Sequence, residues 1–283
     1  MKFYSGIPAI GEYLTTARER GKSIGFVPTM GALHDGHLSL IRKSIDENSL
    51  TIFSIFVNPI QFNNSKDLEN YPRTLDNDLK ILEKSGCDVV FAPNDEEMYP
   101  NGETGTIDID FGYLDKILEG KFRPGHFKGV AIVVKKFLEI IEPHKAYFGK
   151  KDYQQFLVIS QMVKKFNLPV EIIPCPIVRE PDGLAMSSRN MRLTIRERMI
   201  APLIYETLSG VKEKAGTMPL KKLKEWAGKK IGKNPAFAVE YIEIADKRTL
   251  LSLENWKSKE NAIILAAVNL NEIRLIDNIE FFI

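Results

Sequence analysis

The sequence predicts an α/β protein: a mostly parallel sheet with helices on both faces, followed by a smaller C-terminal α+β domain. Three observations carry this. Short, nearly continuous apolar runs alternate with amphipathic helical stretches through the first 176 residues. The conspicuous polar clusters each follow one of those runs directly. After about residue 177 the pattern changes to two helical stretches and three β-rich segments. The expected division is therefore 1–176 and 177–283.

Taken in order, "IGFVP" (24–28) reads as a short strand, and Leu38, Ile41 and Ile45 then follow at helical spacing. "LTIFSIFVNP" (50–59) has the unbroken apolarity of a strand buried on both faces. "TLDNDLKILEKSG" (74–86) reads as an amphipathic helix stopped by Gly86, and "CDVVFAP" as another buried strand. "GVAIVVKKFLEIIEP" (129–143) is helical in spacing. Strand "KAYFG", helix "DYQQFLVISQMVKKFN" and strand "VEIIPCP" complete the alternation. Beyond it, helices are expected within 194–215 and 219–232, then a small antiparallel sheet from "AVEYIEIAD", "AIILAAVNL" and "IRLIDNIEFFI".

Composition excludes little and favours the ordinary. The chain has 283 residues, 44% hydrophobic and 27% charged, with a formal net charge of +2. That balance gives no support for a nucleic-acid or acidic-membrane partner. The lysines of "LKKLKEWAGKKIGKN" (220–234) read as the solvated face of an amphipathic helix. Cys87 and Cys175 sit at strand ends without metal-ligand spacing, which fits a reduced cytoplasmic setting. No signal-peptide pattern or membrane-length apolar run is expected.

The chemistry concentrates in three segments. "VPTMGALHDGHLSLI" (27–41) runs from strand through a glycine turn into a helix, and holds two of the four histidines, His34 and His37. A helix N-terminus presents unpaired N–H groups and partial positive charge, which favours phosphate. Gly31 and Gly36 let a nucleotide approach the backbone. The histidines can donate hydrogen bonds and, when protonated, add charge. "GLAMSSRN" (183–190) offers Ser187, Ser188 and the donor fork of Arg189. "FGKKDYQQF" (148–156) places Lys150 and Lys151 after a strand, with Asp152 as a helix N-cap. Singly, these could be a capped turn, a capped helix start with a surface arginine, and a solvated lysine pair. Together they point to one nucleotide site, where strand order reverses in such sheets.

Six segments, "PTMGALHDGHLSLI", "FVNPIQF", "YPRT", "RPGHFKGV", "FGKKDYQQ" and "AMSSRN", occur in order over residues 20–195. In them the chain resembles the pantothenate synthetase family, within the wider nucleotidylyltransferase superfamily and its Rossmann-like fold. The resemblance implies ATP-dependent condensation of pantoate with β-alanine. Pantoate's carboxylate attacks the α-phosphorus and releases pyrophosphate; β-alanine's amine then displaces AMP from pantoyl adenylate.

The resemblance also implies roles. Met30, Gly31, Ala32, Leu33, His34, Asp35, Gly36 and His37 would line the ATP site, with His37 as proton donor. Gly149, Lys150, Lys151, Asp152, Val178, Met186, Ser187, Ser188 and Arg189 would complete it. Catalysis would fall to His34, His37, Lys151, Ser187, Ser188 and Arg189, whose donors suit charge developing on phosphate oxygens. Gln61 and Gln155 would bind pantoate, with Gln61 also near β-alanine. Mg²⁺ would ride on the phosphates with no dedicated protein cage. Lys150 departs from the family pattern, which has glutamate there, so its role stays open. His126 is expected to brace a loop or the core rather than to catalyse.

Residues 60–73 read as a mobile flap that keeps the adenylate from water. A homodimer is expected from the family alone. Two competing functions remain at this point: a nucleotidylyltransferase acting on another small acid or a phosphate acceptor, and an RNA-binding or nucleotide-sensing protein. The amides Gln61 and Gln155 argue against a phosphate acceptor, and the missing aromatic–basic signature argues against RNA.

Overall fold

Among the described residues, nine strands divide into two sheets. The computed structural model describes residues 1–102, 107–256 and 261–282. Strands β1 (Lys2–Tyr4), β2 (Ile24–Thr29), β3 (Leu50–Ile55), β4 (Val89–Phe91), β5 (Lys145–Gly149) and β6 (Glu171–Cys175) form one sheet, ordered β1-β4-β3-β2-β5-β6. Every pairing in it is parallel. From β2 the chain builds outward through β3 and β4, then returns to lay β5 on the other side of β2. The strand order therefore reverses between β2 and β5, which leaves a crevice above their C-terminal ends.

Alternation within the strands explains why the sheet is covered twice. Ile24 and Phe26 of β2, Leu50 and Ile52 of β3, Val89 and Phe91 of β4, and Ala146 and Phe148 of β5 enter one core with the helices Ile7–Glu19, His126–Ile141 and Tyr153–Lys165. Val27, Phe53, Val90 and Tyr147, the intervening residues, enter a second core with Leu40, Ile41 and Leu82. Because successive side chains point to opposite faces, near-continuous apolarity is what a doubly covered strand requires.

The second sheet is an antiparallel meander of β7 (Phe237–Asp246), β8 (Asn261–Leu270) and β9 (Ile273–Phe282). It packs with the helices Leu203–Glu213 and Leu220–Gly232 around its own core, while Ala245, Leu250, Ile263 and Leu265 join the first. The helix Leu220–Gly232 buries Leu220, Leu223, Ala227 and Ile231. Its Lys224 and Lys230 pair with Glu243 and Glu206.

Several elements differ from the expectation. β1 and the helix Ile7–Glu19 carry too short or too weak a pattern and were not anticipated. The helix expected from residue 129 begins at His126. The stretch 194–215 breaks into Ile195–Ile200 and Leu203–Glu213 around Pro202, which has no N–H to continue the first helix. Ile45 is exposed, and Ser44 takes the buried position, bonding Thr51 inside the fold at 2.8 Å. Gly25 allows this approach: a Cβ there would meet Ser44 Oγ at 2.2 Å. Ile283, the last residue of the expected β9 segment, lies outside the described residues. Both cysteines are buried in the second core, and burial pushes their thiols up to about 12 for Cys87 and about 11 for Cys175.

Candidate active site

Five connections rise around the crevice. Thr29 ends β2 and Met30 follows it, Asn58 and Gln61 follow β3, Gly149 ends β5 with Lys151 and Asp152 after it, and Pro176 to Val178 follow β6. Met186 to Arg189 close the ring. His34, Gly36, His37, Tyr71 and Gln155 line the same cleft, with Val130, Val133, Val134 and Phe137 as an apolar wall. Gly31, Ala32, Leu33, Asp35 and Lys150 are not among its lining residues.

Each of these exclusions has a reason. The turn after β2 is held from behind by Asp78, a fully buried carboxylate. Asp78 accepts the N–H groups of Ala32 and Leu33, each at 2.9 Å. Those two donors are therefore committed to the protein. Gly31 and Ala32 both adopt positive φ, +81° and +53°, to make the turn. Asp35 stands exposed at the first position of the helix Asp35–Glu47. Lys150 points away to pair with Glu280 of β9.

The two histidines meet as a pair, ring centroids 4.0 Å apart and planes 31° apart. Gly36 makes room, since a Cβ there would meet the His34 ring at 2.8 Å. The His34 backbone N–H donates to His37 Nδ1 at 3.4 Å, which leaves the His37 proton on Nε2. His34 Nδ1 is buried and finds no partner among the described residues. Burial, then the Lys151 charge, lower the His34 pKa to about 4. Burial, then His34 and Lys151, hold His37 well below the ordinary value. Both rings are thus neutral near pH 7 in the ligand-free chain, where they offer dipolar donors and acceptors rather than the charge that protonation would add.

The serine pair divides its labour. Ser188 Oγ donates to the Ala32 carbonyl at 2.9 Å, tying this segment to the histidine turn. Ser187 Oγ accepts the Arg189 N–H at 3.3 Å and keeps its own proton free to donate. The Arg189 guanidinium bonds Asp67 through Nη2 at 2.7 Å, and Arg192 reaches the same carboxylate at 3.0 Å. Burial resists the Asp67 charge, but the Arg189 bond outweighs it and keeps the carboxyl below its ordinary pKa. Lys151 lies 3.3 Å from Asp152 Oδ2. Asp152 stands at the expected N-cap position, yet its side chain makes no capping bond.

Gln61 is buried; its amide donates to Met30 Sδ at 2.9 Å and accepts from Asn58 at 3.0 Å. Sequence reasoning missed four supporting residues: Asp67, Tyr71, Asp78 and Asn278. Asn278 of β9 donates to the Lys150 and Lys151 carbonyls at 2.9 and 3.0 Å, so the C-terminal sheet holds the double-lysine corner. Tyr71, in the quoted "YPRT" segment, had a signal, and its ring lies 5.6 Å from the Arg189 guanidinium. The others are acids or amides in polar stretches, with nothing local to mark them. The segment 60–73 begins within the turn Pro59–Gln61 and contains the helix Ser65–Glu69, capped by Asn64.

Comparison with known proteins gives a consistent result. The family model described as pantoate-beta-alanine ligase matches residues 2–280. A pantothenate synthetase of Porphyromonas gingivalis is 44% identical over 99% of both chains. The crystal structure of pantothenate synthetase from Thermus thermophilus superposes with a TM-score of 0.93 at 40% identity, covering 100% of both chains. That of pantoate-beta-alanine ligase from Francisella tularensis, complexed with beta-gamma ATP and beta-alanine, gives 0.83 at 38% identity over 99% of this chain and 97% of that one.

Proposed function

The chain belongs to the pantoate–β-alanine ligase family, and from that premise we propose how the cleft at the strand-order reversal carries out the family's reaction. The protein is an ATP-dependent ligase that condenses pantoate with β-alanine. The observation that supports the residue roles is the meeting of the histidine turn, the Lys151 corner and the Ser187–Arg189 segment around one cleft that also holds Gln61 and Gln155.

In this reading the triphosphate lies across the start of the helix Asp35–Glu47, where the Gly36 N–H, on the cleft lining, is left over once Ala32 and Leu33 are committed to Asp78. His37 Nε2–H, the Lys151 ammonium, the Ser187 hydroxyl and Arg189 stabilise charge on the phosphate oxygens as pantoate's carboxylate oxygen bonds the α-phosphorus and pyrophosphate leaves. Gln61 and Gln155 orient pantoate's hydroxyls, and the Val130–Val134 wall suits its dimethyl carbon. The β-alanine nitrogen then bonds the acyl carbon, the acyl–oxygen bond to AMP breaks, and the amine gives up a proton.

Mg²⁺ fits this site only as a passenger on the phosphates. Among the described residues no group of three acids, histidines or cysteines could hold a metal, and Asp152 is the carboxylate in the lining. When bound, the ion would neutralise charge on the phosphate oxygens.

The 1–176/177–283 division, a flap over residues 60–73, a cytoplasmic location and a homodimer complete the proposal. No described helix is long and apolar enough to cross a membrane. Light scattering giving twice the chain mass of 32.1 kDa tests the dimer. The residue roles are tested by incubation with ATP, Mg²⁺, pantoate and β-alanine: AMP and pyrophosphate appear together and depend on pantoate. Pyrophosphate release indifferent to pantoate would defeat the assignment.

A further inference from the structure

The "RPGHFKGV" segment lies beside the cleft, and His126 opens its helix with 6% exposure. His126 Nδ1 is 2.8 Å from the Gln61 carbonyl oxygen, and its Nε2 is 3.1 Å from Arg123 Nη1. A guanidinium only donates, so Nε2 accepts, and the ring proton sits on Nδ1, where it donates to Gln61. Arg123 is anchored in turn beside Glu119, at 3.8 Å.

The same helix seats the whole Asn58–Gln61 segment. Asn58 donates to the Gly129 carbonyl at 3.2 Å, and the Tyr99 hydroxyl donates to Asn58 Oδ1 at 2.7 Å. At Gly129 a Cβ would meet the Ile60 carbonyl oxygen at 2.4 Å and Gln61 Cα at 2.8 Å, so glycine is required for this approach. The backbone of Gln61 is thus fixed from below, while its amide faces Met30 in the cleft.

We propose that His126 is a positioning residue for pantoate: its Nδ1–H holds the Gln61 carbonyl, and so aims the Gln61 amide, without touching substrate. This rests on the reading of Gln61 as a pantoate contact. Burial and the Arg123 charge lower the ring's pKa to about 3, so the donor keeps one form throughout the working pH range.

The test is steady-state pyrophosphate release by the full-length enzyme as Gln61→Ala, His126→Ala, His126→Asn and His126→Gln. An asparagine amide places its nitrogen near the Nδ1 position, whereas glutamine reaches toward Nε2. Gln61→Ala, His126→Ala and His126→Gln are expected to raise the pantoate KM about tenfold, the scale of one buried hydrogen bond, leaving the ATP KM within about twofold. His126→Asn should stay close to the parent. A general packing role would instead lower kcat and shift both KM values together. Should Gln61→Ala leave the pantoate KM unchanged, the reading of Gln61 fails and the proposal with it. Should Gln61→Ala act while His126→Ala does not, or His126→Asn be as impaired as His126→Gln, the positioning role alone is overturned. The asparagine–glutamine comparison decides even where the alanine variant fails to fold.

Discussion

Asp78→Asn is the sharpest perturbation the structure offers, because it changes a single group outside the cleft lining. Asp78 accepts two consecutive backbone donors at 2.9 Å and is bonded by Thr74 Oγ1 at 3.1 Å. Hydrogen bonds to a charged acceptor each contribute about 1.5–3 kcal/mol. They offset the left-handed backbone at Ala32, φ +53°, which costs about 1–2 kcal/mol. In the asparagine variant one oxygen becomes an NH₂ facing an N–H donor, so one charged bond is lost and a buried donor is left without a partner. The expected loss is about 3 kcal/mol, or about 6–12 °C in Tm. Part of it should appear at the site, since the released turn carries His34 and His37. The ATP KM should rise about tenfold while the pantoate KM stays within about twofold. Thermal melting and initial-rate kinetics measure both. A variant that melts within about 1 °C of the parent and keeps its ATP KM would refute the reasoning.

Other outcomes follow from the same geometry. His37→Ala should reduce kcat by roughly a hundredfold, the scale for removing one placed donor; unchanged turnover in a folded variant would remove His37 from the mechanism. Lys151→Ala should raise the ATP KM, whereas Lys150→Ala, whose lysine pairs with Glu280, should leave it within about twofold; equal effects would contradict the assignment. Stability should fall in mild acid. The His126 ring has a pKa of about 3 when folded against 6.5 unfolded, so below pH 6.5 only the unfolded chain takes up this proton. Stability present above pH 6.5 is then lost at about 1.4 kcal/mol per unit from this ring alone, about 2 kcal/mol by pH 5, and His34 and His37 add losses of the same sign. Urea midpoints at pH 7.5 and 5 test this, and His126→Asn should lose about 2 kcal/mol less across that interval.

How much was legible depends on how local each signal is. The parallel sheet was readable because its strands are buried on both faces, and the Val27, Phe53, Val90 and Tyr147 positions must then be as apolar as their neighbours. β1 escaped because three residues carry no period. At the site, the histidine turn, the double lysine and the paired serines were visible as local clusters following strands. Their division of labour was not. Nothing beside Ser188 in the chain says that its hydroxyl serves Ala32, 156 residues away, and nothing beside Asp67 points to Arg189. Such pairings are set by topology, and a single acid in a polar stretch has no pattern to distinguish it from a solvated one.

The charge pairings decide what kind of site this is. Two cations that line the cleft are already partnered, Arg189 by Asp67 and Lys151 by Asp152, while the two histidines are neutral. An unpaired cluster of this charge would repel itself and resist burial. Under the proposed roles ATP would enter by exchange, its phosphate oxygens replacing carboxylates and meeting the unpartnered His34 Nδ1. Exchange yields less net attraction than neutralising bare charges would, because each displaced carboxylate must be rehydrated or find a new partner. On the same reading that balance would favour the release of pyrophosphate and AMP, since the carboxylates stand nearby to take the cations back. A triphosphate beside the histidines should also raise their pKa, so ATP binding near pH 6 should take up protons. Calorimetry in buffers of different ionisation enthalpy measures that uptake. Since the γ-phosphate itself sheds a proton on meeting cations, the decisive quantity is the difference from His34→Ala; identical proton exchange in the two would mean that the histidine pair does not face the phosphates.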